Sequence, residues 1–150
     1  MTPVGPFRFC APAFMASCLL VFALLVPQIN AASGPPRSVF LKLSEDQPDP
    51  SVDLIAEQGK GGDWFVTISA DDFRFTTLCV TEAEAVPLGH AHIIVDGRKV
   101  ASAYHPVVKL GALAPGQRHI QAVLRGQDHR ALLGRKGMIK ADIIVTVPKV

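Results

Sequence analysis

Cysteine is scarce in this sequence, with three residues in a chain of 150. Two of them, Cys10 and Cys18, lie in an N-terminal apolar run that we expect to be removed, which leaves Cys79 alone. One cysteine cannot form a disulfide within the chain, so we exclude a disulfide-stapled fold and expect packing to hold the protein together. Cys79 could pair with another chain or bind metal, but a half-buried small residue is the simpler interpretation.

The sequence also lacks the motifs of the common enzyme classes. It contains no G-x-S-x-G, no H-E-x-x-H and no phosphate-binding glycine loop. No nucleophile–base pair stands out, and the adjacent acids Asp71 and Asp72 would point to opposite faces of a strand. We therefore expect that the protein is not an enzyme.

Neither sign of charge is in large excess, since 15 Lys and Arg stand against 13 Asp and Glu. A nucleic-acid-binding surface needs a marked basic excess. We therefore expect no nucleic-acid partner.

Only one long apolar run is present, residues 9–26, and it stands near the start of the chain. Arg8 precedes this run, and the small residues Ala31 and Ala32 follow it. A basic start, an apolar middle and a small-residue exit are typical of a secretory signal peptide. We predict cleavage after Ala31 or Ala32 and a periplasmic or secreted protein. The alternative is an uncleaved membrane anchor, because 18 apolar residues are near the lower limit for a bilayer span.

The remainder of the chain is long enough for one domain with one core. Gly, Pro and acidic residues are frequent up to Pro50, which is typical of loops. We therefore expect a signal peptide (residues 1–31), a linker or extended N-terminal segment (residues 32–50) and a β-sandwich domain (residues 51–150).

Short runs of alternating apolar residues fill that domain, and Gly or Pro turns separate them about every ten residues. Residues 64–70 and 119–125 are the clearest strands, and we expect Ile120, Ala122 and Leu124 to share one face. Residues 73–75 resume the strand after a kink at Asp71-Asp72, and residues 126–137 form a polar loop. We count about seven strands and no long helix, which predicts an all-β, antiparallel, Ig-like or cupredoxin-like sandwich.

The clearest hairpin spans residues 89–100, because Asp96-Gly97 between two apolar runs favours a type I′ turn. With that turn, Val95 faces Arg98. The same register predicts two alanines opposite two histidines, Ala101 opposite His92 and Ala103 opposite His90.

Strand alternation places His90 and His92 on one face of this hairpin. Two imidazoles at i and i+2 can share a metal ion, and His is a common ligand for zinc and copper. The loop that contains His129 could supply a third ligand. The alternative is structural, with His92 hydrogen-bonded to a loop carbonyl.

Several short motifs occur in a fixed order: Phe73-Arg74-Phe75, Gly89-His90-Ala91-His92 followed by Val95-Asp96-Gly97, Tyr104, Leu113-Ala114-Pro115-Gly116 and Asp128-His129. In these motifs the chain resembles a family of small exported bacterial β-sandwich domains without an assigned activity. The family shares a G-H-A-H hairpin, a P-G turn before a strand and an N-D-H loop. The resemblance covers about residues 52–147 and implies an envelope sandwich with His90, His92 and His129 at the recurrent histidine positions.

The chain departs from the family pattern at two positions. Gln127 stands where the family has Asn, and Arg118 stands where a histidine usually follows the P-G turn. His119 is one residue further along, on the opposite strand face. If the family's histidine is a ligand, the site in this chain would be incomplete.

Two functions follow from these observations. The first is an exported metal-binding protein with copper or zinc on His90, His92 and His129. The alternative is a non-catalytic Ig-like interaction module of the envelope, with structural histidines. The partner is then a metal ion or an unknown envelope protein, and a membrane is involved only if the N-terminal segment is not cleaved. The sequence leaves open the metal, the partner and the oligomeric state.

Overall fold

The computed structural model describes residues 38–77 and 85–149, and within these ranges the chain forms eleven β-strands and no helix. Seven strands have five or more residues, and four have two to four. The strands are β1 (Phe40–Lys42), β2 (Ser51–Gln58), β3 (Trp64–Asp71), β4 (Arg74–Phe75), β5 (Leu88–Val95), β6 (Arg98–Ala103), β7 (Val107–Gly111), β8 (Gly116–Gly126), β9 (Ala131–Gly134), β10 (Gly137–Met138) and β11 (Lys140–Val147). The all-β prediction is confirmed for the described residues.

The strands form two sheets. In the larger sheet, β8 is central and lies between β5 on one side and β11 and β9 on the other. Strands β6 and β4 pair with β5, and β1 and β10 pair with β9. The smaller sheet has the order β2-β3-β7. Most strand pairs are antiparallel, as predicted, but two short pairs, β1 with β9 and β4 with β5, are parallel.

The hydrophobic core lies between the two sheets, as in a β-sandwich. The larger sheet contributes Ile93, Ile120 and Leu124, and the smaller sheet contributes Val66 and Ile68; each is at most 1% exposed. The predicted shared face of β8 is confirmed, because Ile120, Ala122 and Leu124 are all fully buried. Burial of each such aliphatic side chain stabilises the fold by roughly 1.5–3 kcal/mol.

The first strand ties the N-terminal segment to this core. β1 pairs with β9, and the Leu43 backbone N–H donates to the Leu133 carbonyl at 3.0 Å. Leu43 itself is 9% exposed and packs in the core. The extended segment that precedes residue 51 therefore belongs in part to the sandwich.

Two segments of the larger sheet differ from the prediction. Residues 74–75 do not continue β3; Asp72 has a φ of 53°, which ends that strand, and β4 pairs with β5 in the other sheet. The loop predicted for residues 126–137 contains β9, where Ala131 and Leu132 are buried. The apolar run of this segment, Ala131 to Leu133, is too short to show the alternation of residues by which a strand is predicted.

The hairpin of β5 and β6 has the predicted turn. Asp96 and Gly97 both have positive φ, 48° and 79°, as a type I′ turn requires, and Val95 pairs with Arg98. Further from the turn the predicted register is wrong, because a β-bulge lies between the pairs Ile94–Lys99 and Ile93–Ala101. Ser102 therefore lies opposite His92, and Ala103 lies opposite Ala91 rather than His90. The bulge inserts one extra residue, Val100, into β6.

The predicted signal peptide and Cys79 both lie outside the described residues. Within residues 38–77 and 85–149, no helix has the length and apolar character that a membrane crossing requires.

Candidate metal centre

Strand β5 presents His90 and His92 on the outer face of the larger sheet. The alternating residues Ala91 and Ile93 are fully buried in the core, so the two histidines project on the side away from it. β5 lies against β8 here, with His90 opposite Arg125 and His92 opposite Val123.

Glycine at position 89 is needed for this close approach of β5 to β8. A Cβ atom at Gly89 would lie 1.8 Å from the carbonyl oxygen of Arg125, which no side chain could tolerate without separating the two strands. The residue before His90 therefore helps to fix where the histidine pair lies relative to β8.

His129 reaches the same face from the tight turn between β8 and β9. The backbone N–H of Gly126 donates to the Arg130 carbonyl at 2.9 Å, and the N–H of His129 donates to the Gly126 carbonyl at 3.0 Å. His129 has a φ of 65°, a left-handed conformation that Asn, Asp and His adopt more readily than other residues. Asp128 accepts from the Arg130 backbone N–H at 3.1 Å, which holds the turn closed.

The three predicted histidines converge. One ring nitrogen from each of His90, His92 and His129 lies within 4.8 Å of the other two. The ring centroids are 4.6 Å apart for His90 and His129, 5.1 Å for His90 and His92, and 6.4 Å for His92 and His129. Nitrogen ligands on a tetrahedral zinc ion are about 3.4 Å apart, so side-chain movements of about an ångström would complete the coordination. This triad could hold a metal ion.

Two of these imidazoles carry unpaired nitrogens. His90 is only 2% exposed, and the Nε2 atoms of His90 and His92 are buried without a hydrogen-bond partner among the described residues. An unsatisfied buried polar atom costs about 1–3 kcal/mol and needs an explanation. A metal ion bonded to these atoms would provide one. No bond from Nε2 of His92 to a loop carbonyl is present in the described part of the chain, so the structural alternative lacks that support.

Both strand histidines are neutral at pH 7. Burial lowers the pKa of His90 to about 4, and the neighbouring His129, Lys99 and Arg125 act in the same direction. Burial likewise lowers the pKa of His92 to about 4, with Lys99 and Arg125 as the next causes. Neutral imidazole is the form that binds metal, so neither residue has to release a proton before it binds an ion.

The immediate surroundings of the triad are aromatic and cationic. The Tyr104 ring lies over His90, with centroids 4.9 Å apart and an interplanar angle of 33°. Nη1 of Arg125 donates to the His129 carbonyl at 3.2 Å. The triad itself consists of imidazoles alone, because no carboxylate or thiol of the described residues joins it.

The sequence does not predict that Arg125 lies beside the histidines. The sequence does predict the face on which Arg125 lies. Alternation along β8 places it on the opposite face from Ile120, Ala122 and Leu124. The pairing of β8 with β5, which brings Arg125 beside His90, has no local sequence signal.

The remaining two histidines lie apart from the triad. His105 is exposed after β6, and Nε2 of His119 contacts Oδ1 of Asp142 at 3.2 Å on the surface. Position 118 has the same alternation as Ile120 and Leu124, so it lies on the opposite face of β8 from Arg125. A histidine at position 118 would thus point away from the triad, and the presence of Arg118 there does not remove a ligand from it.

Fold and site together define a small all-β protein whose larger sheet carries a histidine triad on its outer face. No protein-family model, curated protein or solved structure matches this chain. The function is therefore argued from the triad.

Proposed function

We propose that this protein is an exported, small β-sandwich protein of Ig-like or cupredoxin-like type that binds a copper or zinc ion through His90, His92 and His129. One observation carries the proposal: three imidazoles offer nitrogens within 4.8 Å of one another, and the Nε2 atoms of two are buried and unpaired. Export rests on the apolar N-terminal run and on the resemblance to envelope domains.

The donor set suits both metals. Imidazole is a ligand for zinc and for copper, and a site of three histidines leaves a further position on the ion open. Affinity for a given set of ligands rises from zinc to Cu²⁺, so we expect copper to bind more tightly than zinc. The metal that occupies the site in the cell then depends on which is available.

The alternative function is an envelope interaction module in which the histidines only stabilise the fold. In that case the Nε2 atoms of His90 and His92 should have protein partners, as buried polar groups usually do. The described residues provide none for these two atoms, so the metal-binding proposal is the better supported.

Calorimetric titration of tag-free protein with Cu²⁺ and with Zn²⁺ tests the proposal. We expect one ion per chain, with affinity at least tenfold lower in His90→Ala and in His92→Ala, because each removes one bond to the metal. His129→Asn is the best third variant, since Asn also tolerates a left-handed φ and leaves the turn unstrained.

The matched control is His105→Ala, which removes an exposed histidine outside the triad. It should bind metal as the wild type does. A wild-type protein that binds neither ion more tightly than a variant lacking all three triad histidines would end the proposal and leave the structural alternative.

A further inference from the structure

Arg125 lies beside the triad with part of its hydrogen-bonding capacity unused. It is the Cα partner of His90 on the neighbouring strand, and directly opposed residues of antiparallel strands project to the same face. Its Nη1 donates to the His129 carbonyl at 3.2 Å, so the guanidinium lies beside the turn that carries His129. Its Nε is buried and has no hydrogen-bond partner among the residues described.

The charged side chains that act on both strand histidines, Lys99 and Arg125, are positive. Imidazole ligands bring no negative charge to a divalent ion, and Lys99 and Arg125 are close enough to act on both His90 and His92. Asp128, the acid next to His129 in sequence, is already engaged by the backbone and side chain of Arg130. A dication bound in this partly buried position would therefore have uncompensated charge, which is costly away from water.

An anion bound to the metal would reduce that cost. It would occupy the position that three histidines leave open and could accept a hydrogen bond from the free Nε of Arg125. Guanidinium groups pair with carboxylates and phosphates, because the planar group matches the geometry of these anions and the hydrogen bond is charge-assisted. A small carboxylate is the less bulky of the two.

On these grounds we infer that the metal-loaded protein binds a small carboxylate anion, with one oxygen on the metal ion and an oxygen accepting from Arg125. The inference rests on the proposed function, since it requires the metal. It makes Arg125 a binding residue for the anion and gives the site a ligand class beyond the metal itself.

The test begins with the Cu²⁺-loaded protein, whose metal content is measured before any anion is added. Azide serves as the spectroscopic probe, because its binding to Cu²⁺ produces a charge-transfer absorption, and acetate is then added as the competing carboxylate. We expect azide to bind in the wild type and acetate to displace it. In Arg125→Gln the affinity for azide should fall by roughly tenfold or more, the size expected for loss of a hydrogen bond to a charged group.

Two comparisons separate a direct role of Arg125 from a structural one. Arg125→Gln should bind Cu²⁺ in anion-free buffer at least as tightly as the wild type, because a repulsive charge has been removed. Lys99→Gln is the matched control, since it removes a cation whose residue is exposed. It should change azide affinity by less than Arg125→Gln does, because exposed charges are screened.

The outcomes are distinguishable. A loaded wild-type protein whose spectrum azide does not change would overturn the inference and leave metal binding intact. Equal azide affinity in the wild type and Arg125→Gln would remove Arg125 from the anion site, and failure of acetate to displace azide would exclude the carboxylate class. If the protein takes up no Cu²⁺ at the first step, both the proposed function and this inference fail.

Discussion

At the scale of single residues, His90 is the most unusual side chain of the described structure. It is the only polar or charged residue among those buried in the described part of the chain, and its Nε2 has no partner there. Its ring contacts Tyr104, His92 and His129, so aromatic packing explains part of its burial. Packing does not account for the unpaired nitrogens on His90 and His92 together, whereas a shared metal ion would.

The lowered pKa of His90 and His92 predicts how the stability of the metal-free protein depends on pH. In the unfolded chain both imidazoles have the ordinary pKa of 6.5, whereas in the folded protein burial lowers it to about 4. Between these values the unfolded state binds more protons, so the free energy of unfolding should fall as the pH is lowered from 6.5 to about 4. Each histidine contributes at most about 3 kcal/mol to this loss.

Urea denaturation of the metal-free protein at pH 7.5, 6 and 5 measures this effect. The double variant His90→Leu, His92→Leu is the comparison, because it lacks the two groups and keeps the surface carboxylates. Its stability should depend less on pH over this interval. Parallel profiles for the two proteins would show that His90 and His92 protonate as easily in the folded state as in the unfolded one.

At the scale of elements, the hairpin of β5 and β6 is what places two histidines side by side on one face. Its turn depends on positive φ at Asp96 and Gly97. The bulge that follows changes which β6 residues face the histidines, but it leaves the alternation of β5 intact. The two histidines therefore lie on one face because side chains alternate along β5.

Replacement of Gly97 by valine should destabilise the fold by about 1–3 kcal/mol, because a β-branched residue is forced to a φ of 79°. An added Cβ at this position meets no atom within 4 Å, so the cost is backbone strain rather than a clash. Thermal unfolding of both proteins provides the measurement. Gly97→Asn is the control and should lose less, since Asn tolerates this conformation. Equal midpoints for wild type and Gly97→Val would contradict the turn's role in stability.

The elements that alternation specifies could be predicted from the sequence, and those that depend on pairing could not. The alternation of residues predicts the buried faces of β5 and β8, and Asp96-Gly97 predicts the turn. The bulge at Val100 and the pairing of Arg74 with β5 in the larger sheet have no signal in the local sequence, because tertiary packing selects them. The nearness of His129 to His90 depends on how β8 pairs with β5, which is why the sequence could nominate the three histidines but not their distances.

At the scale of the whole molecule, the outer face of the larger sheet is separated from the core by the sheet itself. The core holds the sandwich together with aliphatic side chains from both sheets. The triad lies on the other side, so its histidines are not part of the core between the sheets.

The N-terminal apolar run predicts a mature protein shorter than the encoded chain. We expect cleavage after Ala31 or Ala32, because small residues follow the apolar stretch there. Intact-mass analysis of the protein from the envelope fraction should give the mass of a chain that begins at Ala32 or Ser33. A mass that includes Met1 to Ala31 would show that the segment is retained.

The most direct test of metal binding by the triad is a nitrogen-15 NMR spectrum of the imidazoles, recorded before and after one equivalent of Zn²⁺. The chain has five histidines, so each can be followed separately. We predict that the ring-nitrogen signals of His90, His92 and His129 shift together, with Nε2 as the metal-bound atom of the first two, while those of His105 and His119 stay in place. Unchanged signals for the three triad histidines, or shifts confined to His105 and His119, would contradict the proposal.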